Sequence, residues 1–202
     1  MATGGRGERR LTSICVFCGS SDGGRPAYGE AAGAIGRAIA AHGLTLVYGG
    51  SNIGLMRRLA DAALEAGSRV VGVIPEQLVG LERAHRGLTE LHVVASMHER
   101  KALMVRLSDA FIALPGGFGT LDEFFEVLTW AQLDLHQKPC ALLNTDGYFD
   151  SLLAMFDRAR HDGFLYGAGA AVLVDREPER LVDRVVLARA APSLSTVRGE
   201  SL

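Results

Sequence analysis

Seven short apolar runs, each followed by a segment of helical periodicity, limit what this chain can fold into more than any other feature. They read LTSICVFC, LTLVYGG, RVVGVIP, LTELHVVA, AFIALPGG, PCALLN and AVLVD. Most are apolar throughout rather than at alternate positions, the pattern of strands covered on both faces. The intervening segments, such as AYGEAAGAIGRAIAAHG, IGLMRRLADAALEAG and TLDEFFEVLTWAQLDLH, carry apolar residues at three- and four-residue spacing. A polar stretch to about Arg86 reads as a connection, and a further helix is expected over 97–107. Strands alternating with helices predict an α/β fold: a doubly wound, mostly parallel, Rossmann-like sheet.

At 202 residues and 48% hydrophobic, the chain can bury one full core. One domain is expected over 11–190, with a disordered Gly/Arg-rich tail at 1–10 and a flexible tail at 191–202. No apolar run approaches the length of a membrane helix, and a cytoplasmic protein is expected. A formal charge of −2, without a basic tract, gives no field to recruit nucleic acid. Cys15 and Cys18 form a C-x-x-C, but within an apolar run rather than at a helix start, so neither redox nor zinc chemistry is expected.

In a doubly wound sheet, ligands lie beyond the carboxyl ends of the strands. Here those ends carry CGSSDGG, YGGSNIG, IPEQL, the approach to SMHERK, and PGGFGT. The last of these has two readings. Thr120 can cap the following helix with Glu123 returning a bond, as in a capping box. That reading leaves Gly116, Gly117 and Gly119 unexplained, because one glycine suffices for a turn and each further one costs backbone entropy. Three glycines around Phe118 suggest amides aimed at a phosphate, with Thr120 adding a hydroxyl.

YGGSNIGLM repeats the design. Gly49 and Gly50 end a strand, Ser51 or Asn52 can cap the next helix, and Gly54 would let a flat group approach the backbone. With Gly19 and Ser20 of CGSSDG, these loops make a nucleotide-sized polar pocket, although no G-x-G-x-x-G fingerprint is present. In SMHERKALM, Ser96 can cap a helix whose first turns display Met97, Arg100 and Lys101. Two cations there oppose the helix dipole, a conflict that a ligand phosphate or a carboxylate such as Glu123 would remove.

Other chemistries lack their residues. There is no H-E-x-x-H, no G-x-S-x-G and no P-loop, and neither a metal nor a cofactor is expected. Pyridoxal chemistry would have to use Lys101 or Lys138, which are the two lysines of the chain. What remains, phosphate-grade loops beside an arginine and a carboxylate, suits cleavage of a bond next to a phosphorylated sugar. A non-catalytic nucleotide-binding or carrier protein would use the same loops without the arginine and the carboxylate.

MHERK at 97–101 followed by PGGFGTLDE at 115–123 resembles the paired signature of the Lonely Guy family. Its members are the cytokinin riboside 5'-monophosphate phosphoribohydrolases, often mislabelled lysine decarboxylases. The resemblance spans roughly 13–187 and includes FCGSS, LVYGG, GLM, VIP and EVLTWAQL. It implies release of the base from an N6-modified adenosine 5'-monophosphate, leaving ribose 5-phosphate. It places the catalytic pair at Arg100 and Glu123, nucleotide contacts at Glu82 and Lys101, and phosphate on the 116–120 loop. It also implies a homodimer with the site near the subunit boundary. Two positions depart from the family pattern, Ser51 and Arg57, each where members often carry glycine.

Overall fold

The computed structural model describes residues 11–80, 84–165 and 171–190. Seven parallel strands form one sheet: β1 (Ser13–Phe17), β2 (Thr45–Tyr48), β3 (Val70–Pro75), β4 (Glu90–Val94), β5 (Ala110–Ala113), β6 (Cys140–Leu143) and β7 (Val172–Asp175). Their order is β4-β3-β2-β1-β5-β6-β7, and every neighbouring pair runs parallel. The chain winds outward from β1 to β4, then returns to the other side of β1 to place β5. The β1/β5 boundary is therefore the topological switch point, where the following loops part and leave a crevice.

Helices cover both faces, as the two-sided burial of the central strands requires. On one face α1 (Pro26–Ala41), α2 (Gly54–Glu65) and α7 (Pro178–Ala190) pack on Ile14, Val16, Leu46, Tyr48 and Ile112. On the other, α4 (Met97–Arg106), α5 (Phe118–Gln132) and α6 (Asp150–His161) cover Cys15, Phe17, Val47, Phe111 and Leu142. No helix among the described residues is long and apolar enough to cross a membrane.

The doubly wound parallel sheet and all seven strands agree with the sequence expectation. Three local features do not. A short helix, α3 (Glu76–Val79), interrupts the connection after β3, and a 3-10 turn (Thr145–Gly147) precedes α6. Helix α5 starts at Phe118 with Gly117 as its N-cap and has no side-chain cap, so Thr120 and Glu123 lie inside the helix and form no capping box. The expected tails at 1–10 and 191–202 lie outside the described residues.

Candidate active site

The floor of the crevice is built by backbone contact between the loops after β1 and β5. The Gly19 amide donates to the Pro115 carbonyl at 3.1 Å, and the Leu114 amide donates to Phe17 at 2.9 Å. A Cβ on Gly116 would stand 2.1 Å from Thr120 Oγ1 and 2.9 Å from the Gly19 amide nitrogen. Gly116 is thus needed for loop-to-helix packing. Gly54 also serves packing rather than ligand approach: its φ is +55°, and a Cβ would sit 2.4 Å from the Ser20 carbonyl carbon. That corrects the flat-group reading. Neither Ser51 nor Asn52 caps α2, whose N-cap is Ile53 without a side-chain bond.

Arg100 enters from α4. Ser96 caps this helix by accepting from the Glu99 amide at 3.2 Å, and Glu99 Oε2 accepts from the Ala95 amide at 3.0 Å. With its start fixed, the helix buries Arg100 to 6% exposure at the ends of β2 and β3. There Nε donates to the Val73 carbonyl at 3.0 Å and Nη2 to the Gly49 carbonyl at 3.1 Å. A buried guanidinium needs its hydrogens satisfied, and backbone carbonyls of the sheet do this without cancelling its charge. A Cβ on Gly49 would lie 2.1 Å from Arg100 Nη2, so glycine at 49 makes room for the arginine.

The counter-charge comes from the neighbouring helix. Glu123, at 8% exposure, places Oε1 3.6 Å from Arg100 Nη1. The pair lies against the end of β1: burial pushes the Cys18 thiol up, Glu123 pushes it further and Arg100 opposes. Cys15 is raised for the same reasons, burial first. Both thiols are buried and protonated, unlike a redox pair.

Around this centre the remaining residues divide. Gly117, Phe118 and Gly119 are exposed at the amino end of α5, and a Cβ at Gly117 or Gly119 would meet nothing within 4 Å. Phe118 is 93% exposed. Thr120 is buried against Gly116, Ser20 is exposed, and Gly50 is buried with φ +75°. Met97 Sδ lies 3.8 Å from Arg100 Nη1. Lys101 is engaged with α5: Nζ is 3.0 Å from Asp122 Oδ2 and 3.4 Å from Glu126 Oε1. Burial opposes its charge, yet these carboxylates leave its pKa raised. Glu82 lies outside the described residues.

Sequence reasoning missed the carbonyl cradle of Arg100, the acidic partners of Lys101, and Tyr148, whose hydroxyl donates to the Gly116 carbonyl at 2.6 Å. None has a local signature, since each contact joins segments far apart in the chain. A cavity of about 530 Å³ lies elsewhere, beside β7, and is lined by Asn144, Val174, Asp175, Arg176, Arg180 and Arg184. Its arginines face Asp175 and Asp150.

A parallel sheet with glycine turns at its switch point, and a buried Arg–Glu pair near them, defines a Rossmann-like α/β protein. Residues 56–185 match the family model described as "Possible lysine decarboxylase". The chain is 58% identical, over 76% of its length and 78% of the relative's, to a cytokinin riboside 5'-monophosphate phosphoribohydrolase of Rhodococcoides fascians. It is 48% identical to one of Arabidopsis thaliana, over 83% of this chain and 77% of that protein. The chain belongs to the Lonely Guy family. Among solved structures, the molybdenum cofactor binding protein of Rippkaea orientalis is similar at 26% identity, with a TM-score of 0.67 over 88% of this chain and 96% of that one.

Proposed function

We propose that this chain, through one domain over 11–190, hydrolyses the N-glycosidic bond of N6-modified adenosine 5'-monophosphates. The products are free base and ribose 5-phosphate, and AMP is a further candidate substrate. The observation that carries the reading is the buried Arg100–Glu123 pair, 3.6 Å apart, beneath an open glycine turn at the switch point. As the bond breaks, positive charge builds on the ribose C1'–O4' unit. The Glu123 carboxylate stabilises that charge and orients or deprotonates the attacking water. Arg100 is a fixed cation that stands beside this carboxylate. It does not protonate the leaving base, which takes its proton from water or another group.

The ligand phosphate is assigned to the uncapped amino end of α5, with Gly116, Gly117, Phe118, Gly119 and Thr120 forming its cradle. Gly19, Ser20, Gly49, Gly50, Gly54, Glu82, Met97 and Lys101 complete the proposed substrate-binding set. In this set Gly49 acts through Arg100, Gly54 through Ser20, and Lys101 through the α5 carboxylates.

A carrier role has less support, because relatives named as hydrolases stand at 45–58% identity and the cofactor-binding protein at 26%. Lysine decarboxylation is disfavoured by the lysines themselves. Lys101 is held between two carboxylates, and Lys138 Nζ donates to the Val105 carbonyl at 2.8 Å. A homodimer is part of the proposal, supported by apolar side chains exposed on and near α5 and α6: Phe125, Leu133, Leu135, Met155 and Phe164. So is a cytoplasmic setting, supported by three free, buried cysteines.

The test is base release, followed by chromatography, from isopentenyladenosine 5'-monophosphate, its riboside, AMP, and the di- and triphosphates. Two or three charged hydrogen bonds to phosphate correspond to a preference for the monophosphate over the riboside of about 10²-fold to several thousandfold. Equal rates would remove the phosphate assignment and leave a general nucleosidase.

A further inference from the structure

A turn built from adjacent glycines has a weakness as a ligand cradle. The peptide between Gly116 and Gly117 lacks the Cβ contacts that bar rotation elsewhere, so sterics alone do not decide which way its N–H points. Something outside the turn has to choose. The peptide is planar and trans, and its C=O and N–H point in opposite directions. Holding one therefore aims the other.

Tyr148 holds the carbonyl. Its hydroxyl donates to the Gly116 oxygen at 2.6 Å across 32 residues of sequence. The opposite end of the same peptide, the Gly117 amide, donates to no carbonyl among the described residues. Gly117 is the N-cap of α5, where the helix dipole favours an anion.

The phenol is itself well anchored. Its ring makes edge contacts with Tyr28 at 5.7 Å and Phe149 at 4.9 Å. Its backbone amide donates to Thr145 at 3.0 Å, and the next amide, of Phe149, donates to Asn144 Oδ1 at 2.7 Å. Asn144 Nδ2 in turn donates to Asp150 Oδ1 at 2.7 Å. A stapled turn on β6 thereby reaches over to the loop after β5 and grips it.

We propose that Tyr148 is a positioning residue for the phosphate cradle: its hydroxyl fixes the Gly116–Gly117 peptide so that the Gly117 N–H faces the 5'-phosphate. The proposal rests on the assignment of phosphate to this turn. Tyr148 touches no reacting atom and acts on specificity, as the residue that makes a permissive double glycine into a rigid donor.

Tyr148→Phe is the clean variant, since it keeps both ring contacts and deletes only the hydroxyl. Kinetics are measured for wild type and variant on the monophosphate and the riboside, together with inhibition by ribose 5-phosphate. One hydrogen bond predicts a KM for the monophosphate raised about three- to tenfold, with kcat falling less than KM rises. The monophosphate-to-riboside ratio of kcat/KM falls by a similar factor, and ribose 5-phosphate inhibits correspondingly more weakly. If wild type prefers the monophosphate and the variant keeps that ratio, or loses both substrates equally, Tyr148 does not position the cradle and the phosphate assignment stands. If wild type shows no preference, the assignment and the proposal fall together.

Discussion

Glu123 carries a negative charge into a nearly closed space where Arg100 is the facing cation. Its burial inside α5, in place of a role at the helix start, separates its function from local helix stability. Glu123→Gln keeps the shape and removes the charge. The expected result is a fall in base release of about 10²-fold or more, with monophosphate binding retained by calorimetry. A variant that releases base at the wild-type rate would reduce Glu123 to a packing residue. Arg100 is a poorer probe, since its removal would also leave the Val73 and Gly49 carbonyls without their donors.

At the level of elements, α4 and α5 deliver the buried Arg100–Glu123 pair and several glycines set how closely the loops approach. Gly54 is the sharpest case, because positive φ and close contact with the Ser20 peptide coincide there. Gly54→Ala is expected to lower stability by about 1–3 kcal/mol in thermal or denaturant unfolding, and unchanged stability would show that the loop yields freely. The strands were legible because most are apolar throughout and each is followed by a segment of helical periodicity. The Ser96 cap was legible because its residues are adjacent. Of the two readings of the 116–120 loop, the capping box fails because α5 already begins at Phe118, with Gly117 as an N-cap that offers no side chain to announce the start. The clasp of Arg100 by the Val73 and Gly49 carbonyls was invisible for a different reason: a backbone acceptor is present at every position and marks none. For Lys101 the sequence leaves a phosphate and a carboxylate both open, and its carboxylate partners Asp122 and Glu126 come from a helix whose placement only the fold supplies.

The whole molecule gathers its chemistry along one sheet edge and ties down the far end of that edge with charge. The Arg180 guanidinium, bonded to both oxygens of Asp175, holds that carboxyl well below the usual carboxylate range. Burial opposes this, while the Glu177 and Arg176 amides and Arg184 reinforce it. A depressed folded-state pKa contributes stability above the unfolded value near pH 4 and loses it as pH falls through the folded one. Asp175→Asn is therefore expected to destabilise the protein at neutral pH, with the gap to wild type narrowing below about pH 4. A gap independent of pH would assign the effect to lost hydrogen bonds alone. The products of the reaction test the role of the site most directly. Incubation of wild-type protein with isopentenyladenosine 5'-monophosphate is predicted to yield free base and ribose 5-phosphate in equal amounts. Formation of riboside and inorganic phosphate, or bound nucleotide recovered intact after prolonged incubation, would contradict it.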